Sequence, residues 1–397
     1  MTEFLILWLL AQAVAVALVW AFTVGLGRKA APAATPPAAI VMAVKGRDPE
    51  FDEALTHLFA QDYPVFRFIF AVEAADDPAL GAIAPYRSMY PERVEVVVAG
   101  EGANEGQKTT NLIAAVSHLR PEDEILVLCD ADIWPERDWL RRLVEPLANG
   151  TADIVTGFPW LIVKDGRLAS YMLTSLAASV ATIPRLPIFN GAWGGSTAMT
   201  QAHFNKLDMK ANWRGTLSDD LQLTNIAARM GSRIAAPREM LLRTAVHTAG
   251  FGEVIAQARR WYMLVRVHMP AAYFASVIAM TLGALGWILV IGGALAQRED
   301  ALAVFLLALP LSMLRTCARA RLVYRIWGAQ GIAENLSYFR VDWVVAPIAI
   351  LFSALCGWSA LFMRRTIWSG TTYEITGPQQ VKILARRRRN PETPPQP

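Results

Sequence analysis

Apolar and polar positions follow two rhythms along this chain. Phe4 to Leu26 is one apolar run without a charge, long enough to cross a bilayer as a helix. A cleaved leader is the competing reading, because Ala31-Pro32-Ala33 resembles a cleavage site. The length of the run, the absence of a basic segment before it and Arg28-Lys29 after it favour an uncleaved anchor whose C-terminal end is cytoplasmic. Residues 1–29 are therefore expected to be an anchor, and residues 30–38, with Pro32 to Pro37, a short stiff linker.

From Ala39 to about Gly250 the pattern changes to short apolar strands alternating with helices. Ile40 to Val44, Phe66 to Val72, Val94 to Val98 and Ile125 to Cys129 read as strands. Asp48-Pro49 looks like an N-cap followed by proline at the first helical position. Thr109 to Leu119 reads as a helix, and Pro135 as the opening of another. This alternation predicts an α/β domain over residues 39–270 with a largely parallel sheet covered on both faces. Leu168 to Ile183 carries many hydroxyls and no charge, and reads either as a core helix or as a segment on the membrane surface.

Residues 271–365 return to the membrane rhythm. Ala272 to Ala296 is a clear span; Ala301 to Leu314, extended through Arg315, is a short one; Val344 to Met363 is another. Four crossings would leave the arginine-rich tail, residues 366–397, outside, whereas the placement of basic residues puts it inside. One segment, the Pro347-containing one, is therefore expected to be re-entrant or to lie flat.

Composition narrows the class. Of 397 residues 54% are hydrophobic and only 18% charged, which is too apolar for an average soluble enzyme. The net charge of +4 comes from basic residues at the ends of apolar runs and in Arg386 to Arg389, as juxtamembrane anchoring requires. No basic face interleaved with aromatics suggests nucleic acid. The three cysteines, Cys129, Cys317 and Cys356, lie far apart in apolar surroundings, so neither a disulfide framework nor a zinc spacing is available.

The candidate chemistry gathers at strand ends. Ile125 to Trp134, ILVLCDADIW, is a buried strand running into Asp130 and Asp132, whose spacing puts both carboxylates on one side of an extended backbone. Two such groups can hold a hard divalent cation against a nucleotide's phosphates. Lys45-Gly46, Asp76-Asp77-Pro78 and Gln107-Lys108 with Asn111 fall at the carboxyl ends of the first three strands, where open α/β sheets bind ligands. Each alone would pass for a turn or a solvated helix start; their shared placement favours function. Ser218-Asp219-Asp220 reads as a capped helix start, preceded by a flexible aromatic loop, Asn190 to Ser196. Gln257, Arg260 and Trp261 share one helix face, either as a phosphate and sugar contact or as an interfacial belt ahead of a span.

In order, KGRDP (Lys45 to Pro49), QDYP (Gln61 to Pro64), DDPA (Asp76 to Ala79), Gln107-Lys108 with Asn111, CDAD (Cys129 to Asp132), LSDD (Leu217 to Asp220) and QARRW (Gln257 to Trp261) resemble membrane glycosyltransferases of the family 2 type. The resemblance is strongest to ceramide glucosyltransferases and their bacterial relatives, hopanoid-associated enzymes included, and extends to TIWSGTTYEI (Thr366 to Ile375). It implies a GT-A (Rossmann-like) fold and an inverting transfer of one hexose from a UDP-sugar to the hydroxyl of a membrane lipid, at the cytoplasmic face of the inner membrane. It implies that Lys45, Asp77, Lys108, Asp130, Gln257, Arg260 and Trp261 bind the nucleotide sugar. The resemblance also implies that Asp130 and Asp132 hold Mg²⁺ or Mn²⁺ and that Asp220 is the general base. One departure stands out: animal ceramide enzymes carry a histidine before the Pro-Arg pair, where this chain has Ile183 before Pro184-Arg185. Ceramide, diacylglycerol and a hopanoid-type lipid all stay open as acceptors, with an apolar groove expected near Leu168 to Phe189. A processive polysaccharide synthase shares Q-x-x-R-W but needs a channel that few C-terminal spans could form. A non-enzymatic scaffold or transporter subunit would require the strand-end acids to be coincidental.

Overall fold

The computed structural model describes residues 2–26, 33–183, 190–248 and 250–386. Arg28-Lys29, the cleavage-like Ala31-Pro32, Pro184-Arg185 and the arginines beyond 386 lie outside them. Helix α1 (Thr2–Phe22) is followed by β1 (Ala38–Val44), α2 (Phe51–Phe59), β2 (Phe66–Val72), α3 (Ala79–Met89), β3 (Val94–Val98), α4 (Gln107–Val116) and β4 (Ile125–Cys129). The first three β-strands and β4 pair in parallel, in the order β3-β2-β1-β4. Alternate residues sort the core into two layers, as the period of two demands. Ile40, Met42, Phe68 and Phe70 pack on one face; Ala39, Val41, Ile69 and Leu126 pack on the other with Leu112 of α4. The α/β expectation is met.

Local chemistry shifts two boundaries. Asp48 does not cap α2: its carbonyl accepts from Phe51, and the helix starts behind Glu50. Pro135 does not open a helix, because Ile133–Trp134 forms a short strand, β5, and α5 begins at Trp139 (Trp139–Ala148). Then follow β6 (Ile154–Thr156), β7 (Phe158–Val163), α6 (Leu168–Ala181), β8 (Ser196–Thr200), α7 (Gln201–Lys206), α8 (Met209–Asn212), α9 (Asp219–Arg229), β9 (Ile234–Ala235) and β10 (Leu241–Val246). Strand β8 pairs antiparallel with both β4 and β6 and alone runs against the other strands, so the main sheet is largely parallel, as expected, with one reversed strand inside it. A second sheet, β5-β10-β7, packs under α6. Helix α6 is a core helix, buried along ten of its residues. Two of its hydroxyls reach α12: Ser175 donates to Asp342 (3.1 Å), and Ser179 accepts from Arg319 (2.8 Å).

Helix α10 (Phe251–His268) leads into α11 (Pro270–Leu295) and α12 (Glu299–Ala360). Three helices, α1, α11 and α12, are long and apolar enough to cross a membrane. Gly328, at φ 64° and ψ −152°, breaks α12 into two antiparallel arms, a backbone turn that glycine takes without the Cβ penalty. The first arm runs beside α1, with Thr2 bonded to Asp300 (2.9 Å) and Trp20 to the Leu314 carbonyl (3.2 Å). The second arm starts against the α/β domain, where Trp160 donates to Asn335 (3.0 Å). It also ends there, with Ala360 beside Met263 and Leu264 of α10. The second arm, which carries Pro347, therefore meets the α/β domain near both of its ends.

A three-stranded sheet, β11 (Arg365–Trp368), β12 (Thr371–Gly377) and β13 (Gln380–Arg386), closes the described chain. Ser369-Gly370, both at positive φ (45° and 76°), make the hairpin turn between β11 and β12. Tyr373, Ile375 and Val381 bury one face of this sheet against Leu217 and α10. The region read from sequence as a tail is thus docked structure up to Arg386.

Candidate active site

The site is assembled from the carboxyl ends of β1, β2 and β4 and the N-termini of α4 and α9. Gly46 turns the chain after β1 at φ 75°, and its N–H donates to both oxygens of Asp77 (2.9 and 3.1 Å). The Ala79 N–H donates to the same carboxylate (2.9 Å), so Asp77 is fixed by main chain. Lys45 beside it pairs with Glu73 (2.8 Å). Asn111 on α4 donates to the Ala71 carbonyl (3.2 Å) and accepts from Gln107 (2.8 Å), tying β2 to the helix start.

One turn away, Lys108 points at a cluster of acids. Its ammonium lies 2.7 Å from Asp130 Oδ1 and 3.4 Å from Asp219 Oδ1. The Asn190–Ser196 loop completes the enclosure. Gly195 gives its carbonyl to Asp130 N–H (3.2 Å), and Gly194 N–H donates to Asp220 Oδ2 (3.3 Å). A Cβ on Gly194 would sit 2.5 Å from Asp219 Oδ2 and 2.8 Å from Lys108 Nζ, so the loop comes this close only as glycine. Ser218 does not cap α9; its hydroxyl donates to Asp220 Oδ1 (2.5 Å), which also accepts from Leu221 N–H (2.7 Å). Asp220 is thus aimed by three donors.

One ammonium faces four carboxylates here, and the charges do not balance. Lys108 is held charged well above its ordinary range: burial opposes this, but Asp130, Asp219 and Asp220 together outweigh it. The acids bear the deficit. Burial first, then Asp130, pushes Asp132 up to about 7, with Asp48 adding to the rise. Asp219 is 2% exposed and is pushed up to about 6 by burial, despite Lys108. Its Oδ2 has no hydrogen-bond partner. Uncompensated, converging oxygens of this kind suit a hard divalent cation. Among the described residues no group of three or more histidine, cysteine or acidic side chains forms a closed metal cage. An ion here would take part of its coordination from a ligand.

A family model described as glycosyl transferase family 21 matches residues 4–381, nearly the whole chain. The chain belongs to glycosyl transferase family 21. This family 21 chain is a glycosyltransferase, and its α/β domain with flanking apolar helices is the GT-A arrangement expected from the motifs. It is similar to the ceramide glucosyltransferase of Komagataella phaffii, at 30% identity over 129 residues. That alignment is 30% of this chain and spans a quarter of that relative's length. Among solved structures it is similar to the mannosyltransferase PcManGT from Pyrobaculum calidifontis in complex with GDP-Man and Mn²⁺, at 20% identity. The match covers 90% of this chain and 98% of that one, with a TM-score of 0.47. It is also similar to residues 1–349 of S. aureus TarS with UDP-GlcNAc, at 10% identity, 88% and 100% coverage and a TM-score of 0.38.

Of the residues singled out from sequence, Lys108, Asp130 and Asp220 share one cluster with Asp132 at its edge, while Lys45 and Asp77 flank it. Gln257, Arg260 and Trp261 stand apart from the acids. Arg260 bonds Gln257 and the Ile367 carbonyl (3.4 Å) and lies over the Trp368 ring (5.1 Å), joining α10 to the C-terminal sheet. Burial lowers Arg260 to about 10, which leaves it charged at neutral pH. Trp261 packs against the cluster of Leu161, Ala169 and Leu173, as does Phe352 of the second α12 arm. Two functional candidates escaped the sequence reading. Asp219 sits inside the LSDD motif, but helix position alone does not separate it from Asp220. Glu73 has no motif around it, and its role is visible only through its partners.

Proposed function

We propose that this glycosyltransferase moves a single hexose from a UDP-sugar to the hydroxyl of a membrane lipid such as ceramide, with inversion at the anomeric carbon. The observation that carries the reading is the convergence of Asp130, just past β4, and of Asp219 and Asp220, at the start of α9, on Lys108 of α4, in a chain that also carries three helices long and apolar enough to cross a membrane. Lys45 and Asp77 flank the nucleoside, and Lys108 supports the diphosphate. Mg²⁺ or Mn²⁺ held by Asp130 and Asp132 would supply positive charge to the leaving diphosphate. Asp220, fixed by Ser218, Leu221 and Gly194, accepts the proton of the acceptor hydroxyl as that oxygen attacks the face opposite the departing nucleotide. Asp219 keeps Lys108 in place. Arg260 and Trp261 align the domain with the C-terminal sheet and α6, and reach the donor through those elements.

The domain reading follows. Residues 39–270 form the transferase, residues 1–29 and 271–365 place it at the cytoplasmic face of the inner membrane, and the acceptor enters from the bilayer. Similarity to ceramide glucosyltransferase over part of the chain supports a sphingolipid-type alcohol; diacylglycerol and hopanoid lipids compete with it. Mass spectrometry of lipids from cells expressing wild type or Asp130→Ala tests the whole reading. A new hexosyl lipid that vanishes in the variant is expected, and an unchanged lipid profile would sink it. In vitro, EDTA should stop transfer and added Mg²⁺ or Mn²⁺ should restore it.

A further inference from the structure

Arg386 was expected to belong to a basic cytoplasmic tail, yet its guanidinium lies against the α/β domain. It donates to Glu73 Oε1 (2.8 Å), to Gln107 Oε1 (3.1 Å) and to the Gly102 carbonyl, and it stands 3.7 Å from Glu101. Glu73 thereby holds two cations, Arg386 on one oxygen and Lys45 on the other (2.8 Å). Gln107 is engaged just as fully. Its amide accepts from Gly102 N–H (3.0 Å) and donates to Gly100 and Asn111, while its backbone N–H donates to the Tyr373 hydroxyl (3.2 Å). The C-terminal sheet therefore grips both the end of β2 and the start of α4.

We propose that this sheet is a wall of the donor-nucleoside pocket and that Arg386 is a positioning residue for it. Arg386 acts through Glu73 on Lys45, and through Gln107 on the Gly100–Gly106 loop. The ligand is the nucleoside diphosphate part of the donor, so the inference rests on the donor-site reading above. Ribose hydroxyls and base N–H groups need acceptors with fixed aim. Asp77 is aimed by main-chain donors, whereas Glu73 is aimed by two side-chain cations, one of them from the far end of the chain. Charge-assisted, multiply bonded guanidinium contacts are the strong kind, and a lysine cannot reproduce their fork.

The test is titration of the full chain in nanodiscs with UDP, alongside kinetics with the donor varied. Arg386→Gln should raise the UDP Kd and the donor KM about tenfold, with kcat and the acceptor KM little changed. Arg386→Lys should recover part of that loss. Tyr373→Phe, a milder cut to the same wall, should raise the donor KM less. A lower melting temperature in Arg386→Gln with unchanged Kd and donor KM would mean that the sheet only props the fold, and the inference fails. Tighter UDP binding would make Arg386 a plug and also overturn it. If wild type binds no UDP with Mg²⁺ or Mn²⁺ present, the donor reading falls first and takes this inference with it.

Discussion

In the α12 hairpin Arg319 and Asp342 are both buried, and so is Asp219 beside Lys108 at the candidate active site, but the two acids are satisfied differently. Asp342 accepts from Arg319 (2.8 and 3.0 Å), Tyr338 (2.8 Å), Ser175 (3.1 Å) and Thr316 (2.8 Å), so both of its oxygens are occupied several times over. Asp219 has one distant ammonium, shared with Asp130, and a bare oxygen. Burial is common to both; saturation is not. The satisfied pair locks helices, while the unsatisfied acids are poised for something the chain does not itself provide. A buried charge marks a working site when its local bonds leave it short.

The sharpest way to break this contrast is at Asp220. Asp220→Asn should lower transfer by about a thousandfold, in the range of lost general-base catalysis, while UDP binding survives; retained turnover would end the assignment. Next comes the saturated pair. Asp342→Ala leaves Arg319 buried without its counter-ion and should cost about 3–5 kcal/mol of stability, seen as a large drop in melting temperature. The paired change Arg319→Met with Asp342→Leu should recover most of it. If single and double variants melt alike, the pair is not what locks the hairpin.

Asp219 gives a smaller effect of opposite sense. Its carboxyl sits at about 6 when folded, above its ordinary 3.8. Its contribution to stability is therefore whole below about pH 4 and lost as pH rises through 6. Asp219→Asn, which cannot ionise, should be more stable than wild type at pH 7.5 by about 2–3 kcal/mol, yet poorer in transfer. The gap in melting temperature should open between pH 4 and pH 6, and a gap independent of pH would refute the unmet-charge account. Smallest of all, Arg365→Ala, which breaks the exposed pair with Glu374 (3.0 Å), should change stability by less than about 1 kcal/mol. A larger loss there would mean that exposure is no guide to the worth of a pair.

The strand ends were legible in the sequence because hydrophobic runs that stop at acids or lysines mark both a strand and its carboxyl terminus. Lys45 and Asp130 directly follow β1 and β4, as that pattern has it, whereas Asp77 lies past a turn after β2 and Lys108 opens α4. Strand β8 was not legible: Ser196 to Thr200, STAMT, is short and hydroxyl-rich, and only its register against β4 shows that it splits the parallel sheet. Asp219 was hidden for a related reason, since two acids opening a helix look alike until Gly194 and Lys108 close on one of them. The contacts of the second α12 arm were not legible either: Val344 to Met363 is apolar throughout, and nothing in that run announces the partners that Asn335 and Ala360 find in the α/β domain. Arg386 belongs with these, as its partner Glu73 is remote in the chain.

The second arm of α12 also sets a working height. It is pinned to β7 through Asn335, to α6 through Asp342 and to α10 through Ala360. The α/β domain could not swing on its long helices like a tethered ball without tearing those pins. If the proposed lipid acceptor is right, its head group must reach a stationary acid, and that reach becomes a criterion of choice among lipids.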